Sequence, residues 1–230
     1  MSTGGVRIVD RAAYVTAADA LIVADLHLGQ DRSSAVELPV GEHDDILGRL
    51  ETTLQDVEPA TVVLAGDLLH SFDRVPTGVS ETLGDIRRVV DRSPADLVVL
   101  EGNHDTMLST LVEAPIQSAH RLADGTVVVH GHREPIETAD RFVVGHEHPA
   151  IRIEGRRYPC ALDCSNQQAG NDVFVLPAYT RLARGTLVND LDAGESLSPL
   201  LTDLGECRPI VSLDDEPLEF PPLTEFRSLL

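Results

Sequence analysis

The chain has 230 residues, of which 42% are apolar, and a mean hydropathy of −0.03, values that are typical of a globular protein. No apolar run approaches the roughly 18 residues needed to cross a bilayer, and the N-terminal segment lacks the basic and apolar stretches of a secretory signal. We therefore predict a cytoplasmic protein without a membrane span. We favour one domain over residues 1–230, although the length also permits two small ones.

The charge of the chain is strongly negative. Its formal net charge is −20, and all 18 basic residues are arginine, because the sequence contains no lysine. This charge opposes compaction in dilute buffer, but molar salt shortens the Debye length to roughly 3 Å and screens most of the repulsion. The composition is typical of halophilic adaptation, with an ordinary acidic protein as the alternative. An acidic surface normally disfavours nucleic acid as a partner, but that argument loses most of its force at high salt.

The predicted elements alternate through the first 150 residues. Short β-branched runs predict strands at 20–24, 61–65, 97–100, 126–130 and 141–144. Amphipathic segments predict helices at 43–57 and 77–91. This βαβαβ order indicates a largely parallel sheet. Beyond residue 150 the strand-like pieces are shorter and predict an antiparallel set, and residues 214–230 are expected to fold back as an edge strand and a short cap.

The cysteines give no framework for the fold. Cys160, Cys164 and Cys207 are too few and too irregularly spaced for a disulfide network or a four-ligand zinc site. We predict that all three are reduced and partly buried.

A polar cluster follows each of the five predicted strands. The clusters are Asp25-Leu26-His27, Gly66-Asp67, Gly102-Asn103-His104-Asp105, His130-Gly131-His132 and Gly145-His146-Glu147-His148. Because ligands bind at the carboxyl ends of the strands in open α/β sheets, we expect the clusters to converge there. The glycines permit tight turns and a close approach of the backbone.

The side chains of these clusters suit a metal centre. Carboxylates, imidazoles and one carboxamide, without a thiolate, favour divalent ions such as Mn²⁺, Fe²⁺ or Zn²⁺. The ligands are too many for one ion, whereas two ions about 3.5–4 Å apart, bridged by a carboxylate and a water, would use them all. Each cluster alone could be a helix cap, a turn or a surface histidine. All five in this order favour the metal centre.

The ordered set D-x-H, G-D, G-N-H-[DE], H and G-H-x-H resembles that of the calcineurin-like metallophosphoesterase superfamily. The resemblance spans about residues 20–150, and every motif is intact. It implies an α/β fold, a four-layer α/β/β/α sandwich with mixed sheets. It also implies a hydrolase that cleaves phosphoric esters with two divalent ions, for which we expect Mn²⁺, with Fe²⁺ or Zn²⁺ as alternatives.

The resemblance further implies a role for each motif residue. The metal ligands would be Asp25, His27 and His148 for the first ion, Asp67 as the bridge, and Asn103, His130 and His146 for the second ion. His104 would act as general acid or transition-state stabiliser, and Asp105 would orient it. The fourth motif needs one histidine, and we assign that role to His130 because it ends a strand. His132 would then lie at the rim of the site, as a candidate substrate contact.

The flanking residues resemble a narrower group. The segments ADLHLG (24–29), GDLLH (66–70), HEHP (146–149) and VFVLPAY (173–179) are similar to the SbcD-related archaeal phosphoesterases and the ligase-associated PdeM group, both linked to DNA processing. This implies that His70 contacts the phosphodiester, with a solvated loop histidine as the alternative. From the length of the chain we expect no separate DNA-capping domain like that of the full nucleases, so recognition of duplex ends stays open.

Other residues are candidates for substrate contacts. Arg32 and Arg133 lie just beyond metal motifs and could offer forked donors to phosphate, or could form local ion pairs. The segment 30–42 is long for a link between a strand and a helix, and could form a lid.

We therefore expect a phosphodiesterase acting on DNA or a nucleotide in a halophilic, archaeal cytoplasm. The alternatives are a phosphomonoesterase, a cyclic-nucleotide phosphodiesterase and, from another class, a non-enzymatic scaffold of the same fold. The scaffold predicts missing ligands, and none is missing. The resemblance also implies a possible homodimer, although no heptad or apolar stripe supports an interface.

Overall fold

The computed structural model describes residues 5–30, 41–191, 194–213 and 216–229. Arg32 and nearly all of the proposed lid at 30–42 lie outside the described residues. Within these ranges, no helix is both long enough and apolar enough to cross a membrane.

The first sheet has six strands that lie side by side in chain order. They are β1 (Val6–Val9), β2 (Ala12–Val15), β3 (Ala20–Val23), β4 (Thr61–Ala65), β5 (Asp96–Leu100) and β6 (Ile116–Gln117). From β3 to β6 the strands are parallel, whereas β1 and β2 form an antiparallel hairpin that also pairs with β3. Helices α1 (Glu42–Val57) and α2 (Val79–Asp91) connect the parallel strands. The predicted strands and helices of this region are confirmed, and the N-terminal hairpin was not predicted.

The second sheet is mixed and has seven strands. In spatial order they are β16 (Glu216–Glu219), β15 (Arg208–Leu213), β12 (Ala161–Cys164), β13 (Asp172–Val175), β9 (Arg141–Val144), β8 (Val127–Val129) and β7 (Ala119–Arg121). A small third sheet contains β11 (Arg156–Pro159), β10 (Pro149–Ile153) and β14 (Thr186–Leu187). The prediction that the region beyond residue 150 is antiparallel is only partly correct, because β13 pairs parallel to β9 and β14 parallel to β10. β16 is an edge strand and α3 (Leu223–Phe226) a short helix, as expected for the C-terminal segment.

The two large sheets pack face to face. In β3, Leu21 and Val23 belong to the core beneath the two helices, whereas Ala20 and Ile22 belong to the core between the sheets. This alternation follows from the two-residue period of a strand. Facing side chains of the second sheet complete the inner core, and they include Val128, Val143 and Phe174.

The outer face of the second sheet is covered by short elements. Leu200, Leu204 and Phe226 pack in one cluster with Phe142 and Val173 of the sheet. Among the described residues this layer consists of short helices, loops and the small third sheet. The predicted mixed α/β sandwich is confirmed.

The prediction that all three cysteines are reduced is wrong. Cys164 and Cys207 form a disulfide. The cause is the register of β12 and β15: Asp163 lies opposite Arg208, so the next pair along the two antiparallel strands is Cys164 and Cys207. A separation of 43 residues in the chain hides this pairing from the sequence. Cys160 is a free thiol and is buried, and burial raises its pKa.

Removal of the disulfide should destabilise the fold. The crosslink closes a loop of 43 residues, and the entropy that such a loop loses in the unfolded chain corresponds to about 2–4 kcal/mol. We expect the free energy of unfolding of the double variant Cys164→Ala/Cys207→Ala to be lower by that amount, so that it unfolds at a lower denaturant concentration. The wild type should shift in the same direction when reductant is added, and the variant should not respond. Equal stability of oxidised and reduced wild type would contradict the prediction.

Candidate metal centre

The loops after β3 and β4 run side by side beyond the strand ends. The backbone N–H of Asp25 donates to the carbonyl of Gly66 over 3.0 Å, and the N–H of His27 donates to the carbonyl of Asp67 over 3.0 Å. Leu26, between the two polar residues of the first loop, is buried. These contacts hold the predicted ligands at the carboxyl edge of the sheet.

Five of the predicted ligands have an unusual backbone conformation. Their φ angles lie between 46° and 65°, and they are Asp25, His27, Asp67, His146 and His148. Residues other than glycine adopt this left-handed region at a cost of about 1–3 kcal/mol each, and do so mainly where the surrounding structure fixes them. Among the described residues, five of the eleven non-glycine residues with a positive φ therefore belong to the site.

Glycines of one motif lie against ligands of another. A Cβ atom on Gly66 would lie 2.7 Å from Nδ1 of His130, and one on Gly145 would lie 2.5 Å from Oδ2 of Asp25. The motif glycines are therefore required by the close approach of neighbouring loops.

The first predicted ligand group is assembled. Asp25, His27 and His148 each offer an atom within 4.8 Å of the others. Nε2 of His148 lies 3.0 Å from Oδ1 of Asp25 and 3.3 Å from Nε2 of His27. Oδ2 of Asp25 accepts a hydrogen bond of 3.0 Å from the backbone N–H of His146, which joins this group to the next loop.

The second group lies on the other side of Asp67. Asp67, His130 and His146 offer atoms within 4.8 Å of one another. Oδ1 of Asp67 lies 3.4 Å from Nε2 of His130, and Oδ2 lies 3.9 Å from Nε2 of His27. The two oxygens thus face different groups, an arrangement in which a carboxylate can bridge two ions. Oδ1 of Asn103 lies 3.1 Å from Nε2 of His130.

The protonation states favour cation binding. Burial lowers the pKa of both His27 and His146 to about 4. Burial opposes the charge of His130, but its hydrogen bond to Asp67 and the negative charges of Asp25 and Asp67 raise its pKa to about 9. Burial likewise opposes ionisation of Asp67, yet the hydrogen bond with His130 holds the pKa of Asp67 below its usual range. Burial likewise opposes the charge of His148, yet the negative charge of Asp25 and the hydrogen bond to its carboxylate raise the pKa of His148. Neutral imidazole and ionised carboxylate are the forms that bind metal, so His130 and His148 are the ligands that must give up a proton.

The donor set fits divalent cations. Oδ1 of Asp25 is fully buried and has no hydrogen bond of standard geometry, although Nε2 of His148 lies 3.0 Å away. A buried charged oxygen in this situation is costly unless a cation compensates it. Nδ1 of His130 lies 3.0 Å from the carbonyl of Ala65 and donates to it, which turns Nε2 toward Asp67. The residues present could hold divalent ions.

His104 and His70 lie at the edge of this centre. Nδ1 of His104 donates to the backbone carbonyl of His70 over 2.8 Å, and Nε2 lies 3.9 Å from Oδ2 of Asp67. His104 also forms a third possible ligand group with His27 and Asp67. The ring of His70 lies 5.8 Å from the ring of His27. Both histidines are therefore at the site, and their roles stay predictions.

Asp105 contacts the backbone of two loops of the site. Its carboxylate accepts hydrogen bonds of 2.9 Å from the backbone N–H groups of Leu69 and Gly102. The ring of His104 contacts the carbonyl of His70, and the role of Asp105 in orienting His104 stays a prediction. Asp105 ties together the two loops that carry the centre.

His132 and Arg133 border the site beyond His130. The ring of His132 lies 5.2 Å from that of His130 and is absent from the three ligand groups found among the described residues. Arg133 pairs with Glu101. Both residues line a cleft of about 450 Å³ beside the centre, so a role in substrate binding stays a prediction.

Sequence reasoning missed the role of Glu147. This residue is fully buried between the two histidines of its motif, and its Oε2 accepts hydrogen bonds from Ser196 Oγ and from the N–H groups of Leu197 and Ser198. Oγ of Ser198 donates to the carbonyl of Gly131 over 2.8 Å. One later segment therefore braces both histidine loops. An acidic residue between two predicted ligands was the signal, but its burial is not visible in the sequence.

The variant Gly102→Ala should disrupt the centre. The added Cβ would lie 2.1 Å from Oδ1 and 2.2 Å from the backbone nitrogen of Asp67, so Asp67 must move. We expect the variant to bind less metal and to lose phosphoesterase activity. Gly48→Ala in α1 is the matched control, because no atom lies within 4 Å of its added Cβ, and it should raise stability by about 1 kcal/mol. A Gly102→Ala protein with unchanged metal content would contradict the prediction.

The chain is similar to known proteins in sequence and in fold. The family model described as calcineurin-like phosphoesterase matches residues 19–150. The fold is similar to the crystal structure of nuclease MPE from Pseudomonas putida, with a TM-score of 0.64 and 24% identity over 91% of this chain and 92% of that chain. The phosphoesterase Yfce from E. coli gives a TM-score of 0.48 and 16% identity over 88% and 98%. A search of curated proteins found no match.

The family match covers more than half of the 230 residues and contains all five motifs. The chain therefore belongs to the calcineurin-like phosphoesterase family, a family of hydrolases.

Proposed function

We propose that the protein is a phosphodiesterase that depends on two divalent ions and acts on DNA or nucleotides. The observation that carries this proposal is the position of Asp67, whose two oxygens face two separate groups of imidazole and carboxylate ligands. Divalent ions at these groups would supply an activated water and would neutralise charge on the phosphate.

The ligand residues form two groups that could hold two ions. Asp25, His27 and His148 would hold one ion, and His130, His146 and Asn103 the other, with Asp67 between them. The hydrogen bond from His130 Nδ1 to the carbonyl of Ala65 fixes the ring so that Nε2 faces the site.

His104 is placed to handle the proton of the leaving group. Its Nδ1 donates to the carbonyl of His70, which fixes the ring so that Nε2 faces Asp67. With a second proton on Nε2, the ring would donate that proton to the departing oxygen and would take one back from solvent afterwards.

The proposed ion follows from the donor set, and the proposed substrate from the residues that flank the motifs. The mixture of imidazole, carboxylate and carboxamide favours Mn²⁺, with Fe²⁺ and Zn²⁺ as alternatives. The substrate proposal is supported by the flanking residues that resemble SbcD-related and PdeM phosphoesterases, and is compatible with the fold shared with a nuclease.

A substrate panel tests the proposal. Protein reconstituted with Mn²⁺ at high salt is assayed on a nitrophenyl diester, the corresponding monoester, cyclic nucleotides and single-stranded DNA. We expect hydrolysis of the diester and of DNA, with the monoester slower. Preference for the monoester or for cyclic nucleotides would favour the alternative enzymes, and a protein that binds metal but hydrolyses no member of the panel would favour a scaffold.

We further propose that the protein works in a high-salt cytoplasm, and we expect its stability to rise with salt. The net charge of −20 is self-repulsive, and molar KCl screens it. The melting temperature should rise by several degrees between 0.1 and 2 M KCl. Sucrose of equal osmolality is the control, because it does not screen charge. An equal rise in KCl and in sucrose would contradict the electrostatic explanation.

A further inference from the structure

We propose that Phe72 is a stacking platform for an unpaired nucleobase next to the scissile phosphate. This inference rests on the proposed function and names a residue that selects the substrate class: single-stranded or splayed nucleic acid rather than a paired duplex.

Phe72 is an exposed aromatic residue beside the proposed proton donor. Its side chain is 50% exposed, and the chain contains only five Phe and no Trp. Its ring stacks on the imidazole of His104, with 4.0 Å between ring centroids and 29° between planes. One face of the phenyl ring is thus covered by His104, which leaves an exposed aromatic surface at the mouth of the centre.

The ring is held in place by its loop. The hydroxyl of Thr106 donates to the carbonyl of Phe72, and Nδ1 of His104 donates to the carbonyl of His70. The segment that carries the phenyl ring is therefore tied at two points to the turn that carries His104. A platform fixed before the substrate arrives loses little conformational entropy on binding.

The position suits the nucleoside on the leaving-group side. Nε2 of His104 lies 3.9 Å from Oδ2 of Asp67, and a departing oxygen protonated by His104 would lie within hydrogen-bond reach of Nε2, on the ring against which Phe72 stacks. The base attached on that side is the substrate part nearest to the phenyl ring. A base within a duplex already stacks on its neighbours, so an unpaired base is the better ligand.

The charge of the protein also favours stacking. Ionic contacts to phosphates weaken steeply with salt, and Arg133 beside the centre already pairs with Glu101. Stacking on an aromatic ring needs no net charge and tolerates any base. An acidic protein in concentrated salt would therefore gain substrate affinity from Phe72 that arginine contacts do not supply.

The test compares oligothymidylate with an abasic oligomer of the same length, which has the same phosphates without bases. Phe72→Leu keeps apolar packing on His104 but lacks the aromatic face. We expect it to lower kcat/KM on oligothymidylate about tenfold, chiefly through KM, and to change the abasic oligomer less than twofold. Phe72→Trp, which keeps an aromatic face, should have the wild-type kcat/KM on both oligomers. Leu218→Ala, which removes another exposed apolar side chain on the distant edge strand β16, is the control and should change neither substrate.

Two results would overturn the inference. If Phe72→Leu loses kcat/KM equally on both oligomers, Phe72 supports His104 and does not bind a base. If the wild type cleaves both oligomers equally, base recognition is excluded. Both results leave the nitrophenyl diester hydrolysed, so the proposed function would stand. A wild type that fails on the nitrophenyl diester as well would overturn the proposed function and this inference together.

Discussion

Replacement of His104 by alanine should reduce hydrolysis of DNA by about 10²–10⁴-fold, the usual contribution of a positioned proton donor. The metal content should stay unchanged, because Asp67 receives its hydrogen bond of 2.9 Å from the backbone N–H of His104 and not from the ring. Steady-state kinetics on Mn²⁺-loaded protein, together with elemental analysis of the same samples, measures both quantities.

The leaving group separates proton donation from other roles of His104. Nitrophenolate departs without protonation, so the variant should lose much less activity on a nitrophenyl diester than on DNA. Equal losses on the two substrates would favour charge stabilisation in the transition state. Since His104 also forms a possible ligand group with His27 and Asp67, loss of metal from the variant would contradict our assignment and make His104 a ligand.

The positions of the ligands could be predicted because they follow from local patterns. The runs at 61–65 and 97–100 are nearly continuous β-branched stretches, and both are strands of the parallel sheet. Once these runs are strands, the residues after them lie at one edge, as Asp67 and Asn103 do. The order of the motifs also identified the ligands that follow strands of the second sheet. Strand periodicity alone would have placed those strands in the first sheet.

Features that depend on long-range register could not be predicted. Cys164 meets Cys207 because β12 pairs with β15, and nothing local indicates that pairing. The carboxylate of Asp105 could have contacted a ring or a backbone, and only the fold decides that it bonds Leu69 and Gly102. The burial of Glu147 likewise depends on a segment about 50 residues away.

Among isosteric substitutions, Asp67→Asn should have the largest effect on metal content and turnover. An amide offers one acceptor oxygen where the carboxylate offers two, and it carries no charge, so it cannot serve both ligand groups. We expect the metal content to fall from about two ions per chain to about one or fewer. Turnover should fall by at least about 10³-fold, because bound ions supply several kcal/mol of transition-state stabilisation.

A thermal measurement makes this prediction independent of activity. Ions that bind only the folded state raise its stability in proportion to the logarithm of their concentration, so Mn²⁺ should raise the melting temperature of the wild type and should raise that of Asp67→Asn far less. Asp91→Asn removes one negative charge from an exposed pair with Arg87 on α2, worth at most about 1 kcal/mol, and should respond to Mn²⁺ like the wild type. The two variants have the same net charge, so a difference between them reports the bridging position and not the general electrostatics of an acidic protein. An Asp67→Asn protein that keeps two ions and the full thermal shift would exclude Asp67 as the bridge.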